Sequence, residues 1–229
     1  MRQRLSAQLT FDELRLRSGW GGPRKGAGRP SSPRARVQHR SRGRLSSACP
    51  AHVTLRVRRG LPSLRSRPLV REFQRSLRVG CERGDFRVLH YSLQRDHAHL
   101  LVEADSQTAL ARGMKSVGAR LARAINRVFA RAGAVLDGRY HLHLLRTPRE
   151  VRNALAYVLL NARKHWRQRF GIAPPPRIDE ASSARWFDGW NLVFAVPRGE
   201  REVAEAQTWL VHVGWRRHGL VDLDEMPAR

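Results

Sequence analysis

Apolar and polar positions alternate where the readable part of the chain begins. In His52-Val-Thr-Leu-Arg-Val-Arg58, Val53, Leu55 and Val57 fall on one side, which predicts a strand with one buried face. The period then lengthens. Val70, Phe73, Leu77 and Cys81 recur at helical spacing, predicting a helix over Leu69–Cys81. Phe86–Leu93 reads as a second strand, Gln94-Arg95-Asp96 as a tight hairpin connection, and His97–Glu103 as a third strand. Ser106–Ala132 is a long amphipathic helix with Leu110, Met114, Val117, Leu121, Ile125 and Val128 as its apolar stripe. Asp137-Gly138 turns the chain into a fourth strand, Tyr140–Arg146. Thr147 and Pro148 then supply the N-cap and first-turn proline of a last core helix running to about Trp166. Strand, helix, strand, strand, helix, strand is an α+β, ferredoxin-like βαββαβ core, here with one additional C-terminal helix.

Composition changes the picture at both ends. Residues 1–47 read as a tail: from Gly22 to Arg44, Pro, Gly, Ser and Arg interleave with almost no large apolar side chain, which predicts a flexible basic arm. Gly28-Arg29-Pro30 within it has the form of a minor-groove AT-hook core, or is simply part of a disordered leader. Residues 48–166 hold the patterned core, and 167–229 form an extension with Trp186, Trp190, Trp209 and Trp215. Those rings either stack on unpaired bases or, the commoner use, pack an appendage against the core. Residues 200–218 read as a short amphipathic helix. The net charge is +25, with 44 basic against 19 acidic residues, an excess that favours a polyanionic partner. No apolar run approaches the ~20 residues needed to span a bilayer. The N-terminus lacks an apolar signal segment, and Cys49 and Cys81 form no disulfide framework. A cytoplasmic, nucleoid-associated protein with no membrane partner is expected.

Candidate chemistry sits on the third strand. Alternate residues of a strand share a face, so His97 and His99 project side by side around Ala98, close enough to hold one cation. His141-Leu142-His143 repeats the triplet on the fourth strand, where a stabilising or DNA-contacting role fits better. On the last helix Glu150, Asn153, Tyr157, Asn161 and Lys164 form a polar flank beside the apolar face. A hydroxyl, an amide and an ammonium on one stripe suit phosphoryl transfer, although a tyrosine there is also an ordinary rim residue.

Taken with the element order, His97-Ala-His99 on a strand and Tyr157 and Asn161 on a late helix resemble the single-tyrosine HUH transposases. Tyr-Val-Leu-Leu-Asn-Ala-Arg-Lys-His (157–165) is similar to the REP-associated tyrosine transposase branch. Two departures stand out: Ala98 replaces a commoner Val, and Ala162 follows Asn161 where relatives often carry Pro. The resemblance implies that His97, His99 and Asn161 ligate Mg²⁺ or Mn²⁺. It implies that Tyr157 attacks the scissile phosphate, leaving a 5′-phosphotyrosine. It implies a single-stranded DNA partner carrying a hairpin or palindromic repeat, and a monomer or homodimer. Arg112, Lys115, Arg120, Arg123, Arg127 and Arg131, a stripe with no acid on its own helix, are the expected grip on that DNA, together with Lys164. The rival functions are a DNA-binding protein that keeps the fold without catalysis and an RNA-binding module. The latter would want an exposed aromatic pair that the middle strands lack.

Overall fold

Val53 and Leu55 are buried on one side of strand β1 (Ala51–Arg56), while His52 and Thr54 are half-buried on the other. Both faces of the central strands are covered. The computed structural model describes residues 45–192 and 197–227, so most of the arm expected over 1–47 lies outside the described residues. After β1 come α1 (Arg67–Arg78), β2 (Glu82–Arg83), β3 (Phe86–Leu93), β4 (His97–Ala104), α2 (Gln107–Val128), β5 (His141–Leu144) and α3 (Pro148–Phe170). The sheet runs β2-β3-β4-β1-β5 with every neighbouring pair antiparallel. Without the two-residue β2 this is the ferredoxin-like order, as expected from the succession of elements. The sequence reading missed β2, whose turn at Gly84 takes φ +42 and folds Glu82–Arg83 back onto β3.

One face of the sheet packs Val53, Leu55, Leu100 and Val102 against Phe73 and Leu77 of α1 and Leu110, Met114 and Leu121 of α2. The other packs Leu89 and Leu101 against Val151, Leu155 and Leu159 of α3 and against Trp190, Trp215 and Val221. Each fully buried Leu or Val in such a layer contributes roughly 1.5–3 kcal/mol. A bulge between Val88 and His90 turns Leu89 to the second face while Val88 and Tyr91 stay in the first core. Double coverage is why β3 reads as an apolar run rather than an alternation: every residue of it is buried.

Helix ends differ from expectation for local reasons. In α3, Thr147 and Glu150 form a reciprocal capping box, and the helix runs on to Phe170, where Gly171 at φ 75 ends it. Helix α2 stops at Val128 instead of Ala132, because Ala130 turns left-handed at φ 46 and the Arg131 N–H bonds the Asn126 carbonyl at 2.9 Å. The helix expected over 200–218 is not formed as such. Only α4 (Trp209–His212) and a 3₁₀ turn at Gly214–His218 are helical. Upstream of them the backbone is tied to the sheet: the Ala204 N–H donates to the Val88 carbonyl at 2.9 Å. The buried Glu103 carboxylate accepts from the Gln207 and Thr208 N–H groups at 2.9 and 3.0 Å. Trp190 and Trp215 are buried in this extension, so they pack rather than offer faces to bases.

His90 lies in the second core with Nδ1 3.1 Å from the Ser183 hydroxyl, and burial pushes its pKa down to about 3. The unfolded chain takes a proton there near pH 6.5 and the folded one does not. Stability is therefore complete above that pH and falls below it, by about 1.4 kcal/mol per pH unit from this group until the folded pKa is reached. Urea unfolding at pH 7 and pH 5 should show a drop that includes this share, and His90→Gln should remove that share.

Candidate active site

The second face of the sheet, under α3, carries the chemistry. The register places His99 beside Thr54 and His97 beside Arg56 across the β1–β4 pair. The two-residue turn at Arg95-Asp96 holds His97 at the strand's start, where its Nδ1 lies 2.7 Å from an Asp96 carboxylate oxygen. A carboxylate can only accept, so Nδ1 carries the proton and Nε2 keeps its lone pair. That hydrogen bond also holds the Asp96 carboxyl below the usual carboxylate range.

His97 Nε2 and His99 Nε2 face one another at 3.0 Å. Two nitrogens bound at right angles to one ion, each about 2.1 Å from it, would lie about 3.0 Å apart, so the pair has the spacing of adjacent metal ligands. The far nitrogen of His99 lies 3.1 Å from His52 Nε2 and 3.2 Å from the Thr54 hydroxyl. Burial, then the neighbouring His52 and His97, push His99 down to about 2; His52 is pushed down to about 4 by burial, then by His143 and His141. Both rings are neutral at physiological pH, the form in which imidazole binds metal.

Helix α3 supplies the opposite wall. The Tyr157 ring lies 5.1 Å from the His99 ring and 5.5 Å from that of His52. Two turns on, the His165 ring is 5.8 Å from His97. Asn161 sits between them on the same stripe, fully buried, and neither its amide oxygen nor its nitrogen has a hydrogen-bond partner in the described residues. A buried, unpaired amide costs on the order of 1–3 kcal/mol, which a ligand for its oxygen would remove. Among the described residues no three His, Cys, Asp or Glu side chains are arranged to hold a metal ion. The set that fits a divalent cation here is therefore two imidazoles and the Asn161 amide, completed by oxygens of solvent or substrate. Lys164 places its ammonium 5.0 Å from the Tyr157 ring centroid, and burial pushes the half-buried Tyr157 phenol up.

His52, His97, His99, Tyr157 and His165 meet within one chain. Sequence reasoning missed His52, Thr54 and His165. The strand order held the signal for the first two, since β1 must lie beside β4 in a ferredoxin-like sheet. His165 follows Tyr157 by eight residues, on the same helix face. The second triplet, His141 and His143, lies exposed on edge strand β5, opposite Thr54 and His52.

The arginine stripe of α2 is elsewhere, packed on the other face of the sheet. Acids from neighbouring elements reach it: Arg127 pairs with Glu72 of α1, and Arg112 with Asp85 at 2.5 Å. Arg120 donates to the Ser76 carbonyl at 2.9 Å, and Arg131 to the Asn126 side chain at 2.6 Å. Lys115 and Arg123 remain exposed.

The sequence profile of the IS200-like transposases matches residues 46–145. This stretch belongs to that family. The IS200-like region contains His97 and His99 and ends before α3, so Tyr157 and Asn161 lie just beyond it. Among curated proteins no relative matches the chain. A REP-associated tyrosine transposase bound to a REP hairpin superposes with a TM-score of 0.43 at 10% identity, over 75% of this chain and 100% of that one. A bacterial tRNA(His) guanylyltransferase-like protein superposes in its GTP complex with a TM-score of 0.41 at 12% identity, over 59% of this chain and 74% of that one. Among the described residues no helix is long and apolar enough to cross a membrane.

Proposed function

We propose that this IS200-like protein is a single-strand DNA transposase in which Tyr157 cuts and rejoins the strand beside a hairpin. The observation that carries the reading is the Tyr157 ring against His99, whose Nε2 faces that of His97, with the buried, unpaired amide of Asn161 one turn along the same helix. His97, His99 and Asn161 hold a divalent cation, Mg²⁺ or Mn²⁺. When bound, such an ion supplies Lewis-acid polarisation of the scissile phosphate.

The chain's own groups do the rest. Asp96 and His52 orient the two imidazoles through their far nitrogens. The Tyr157 hydroxyl attacks phosphorus, forming the tyrosyl P–O bond while the P–O3′ bond breaks. The phenol proton leaves to solvent, and the departing 3′ oxygen takes one up as a 3′-hydroxyl. A 3′-hydroxyl attacking the phosphotyrosine reverses these steps and rejoins DNA without an external energy source, because the covalent link conserves the phosphodiester. The Lys164 ammonium, held over the Tyr157 ring, steadies the phosphate charge.

Incubation of the full chain with a hairpin oligonucleotide carrying single-stranded flanks and Mn²⁺ tests this. Label at the 3′ end of the strand should become attached to protein through SDS and heat, and EDTA should prevent it. Cut strands with no adduct, or attachment of the 5′-labelled fragment instead, would contradict the proposal.

A further inference from the structure

Past the β3–β4 turn, a cleft of about 1270 Å³ lies between the start of α1, the end of α3 and the 174–185 segment, with His97 and His165 on its border. It exceeds the roughly 300–1,000 Å³ of most small-molecule sites, which points to a polymer segment. Its charge is mostly basic: of the acids that line it, Asp179 pairs with Arg65 and Asp96 with His97, and Glu180 stands with them. Arg67 and Arg71 from α1, Arg95 from the turn and Arg177 from the far wall all line it and are exposed. No hydrogen bond or ion pair engages their guanidinium groups within the described residues. The stripe on α2 differs, since most of its arginines are already paired.

The same cleft carries the exposed aromatic pair of the helix end. Trp166 is 39% and Phe170 51% exposed, large values for rings that have a core nearby to bury in. Their centroids are 4.5 Å apart, and Arg169 covers the Phe170 ring at 5.3 Å. Unpaired bases stack on such faces, whereas bases within a duplex already stack on each other. Trp166 lies nine residues beyond Tyr157, about 14 Å along the helix axis, within reach of a few nucleotides.

We infer that this cleft binds the unpaired DNA strand continuing from the scissile phosphate. Bases stack on Trp166 and Phe170, and phosphates rest on Arg67, Arg71, Arg95 and Arg177. The inference rests on the proposed cleavage at Tyr157 only for what the strand is joined to; the cleft's preference for single strands stands on its own lining.

The test uses the full chain with Tyr157→Phe in EDTA, so that no cleavage intervenes. Fluorescence anisotropy reads binding of labelled oligothymidylate, its duplex with oligodeoxyadenylate, and oligouridylate. Trp166→Leu with Phe170→Leu keeps apolar bulk and removes the π faces. It should weaken oligothymidylate binding about ten-fold or more and leave duplex binding within about two-fold. Trp166→Phe should retain most of the affinity, which separates stacking from a folding defect. Replacing the four arginines with Gln should lower the slope of log K against log salt by about 0.7 for each phosphate no longer neutralised. Equal losses on single strand and duplex, or no loss, overturn the inference. Tighter binding of oligouridylate than of oligothymidylate overturns the assignment to DNA. A single-strand preference that depends on these residues in a wild-type chain forming no covalent adduct would support the cleft and defeat the cleavage reading alone.

Discussion

Tyr157→Phe is expected to abolish covalent capture of single-stranded DNA, by about 10³-fold or more, while hairpin affinity stays within about two-fold. The substitution removes only the nucleophilic oxygen. The ring keeps its place beside His99 and His52 and under Lys164, so the site retains its shape. The other described tyrosines serve as controls. Tyr91 is buried, with its hydroxyl donating to Glu202 at 3.0 Å, so Tyr91→Phe should cost stability and not chemistry. Tyr140→Phe should leave adduct formation unchanged.

His97→Ala and His99→Ala should each lose most of the Mn²⁺-dependent adduct, on the order of 10²-fold or more, with DNA affinity in EDTA unaltered. Each removes one of two facing nitrogens, and one imidazole with an amide is a poor ligand set. Because the two act as a unit, the double variant should be little worse than either single one. Asn161→Ala should lose less, since a neutral amide oxygen is the weaker ligand, and it removes two buried unpaired atoms besides. Mn²⁺ titration followed by electron paramagnetic resonance reads the same loss without DNA. Retained activity in both His variants with loss in His141→Ala would move the site to the edge strand.

The core was legible in the chain because period and topology agree. Strict alternation in β1, helical spacing in α1 and α2, and an apolar run in β3 each name their element, and the succession leaves the ferredoxin-like order. His97 and His99 were legible for the same reason, since residues two apart on a strand share a face. Long-range partners were not. Nothing local to α2 announces that Glu72 and Asp85 arrive from α1 and the β2–β3 turn to pair with Arg127 and Arg112. Residues 200–218 have an amphipathic pattern, yet hydrogen bonds to Val88 and Glu103 tie Ala204, Gln207 and Thr208 to the sheet without helix. Tertiary contacts outweighed propensity there. The cleft behind His97 draws its arginines from separate parts of the chain, and no window of sequence contains it.

The attachment point of the DNA tests the central claim most directly. The covalent complex would be digested with nuclease and trypsin and the modified peptide sequenced by mass spectrometry. The account predicts a nucleotide mass on Tyr157, within the tryptic peptide Asn153–Arg163. A nucleotide on Tyr91 or Tyr140, or on a serine, would contradict it.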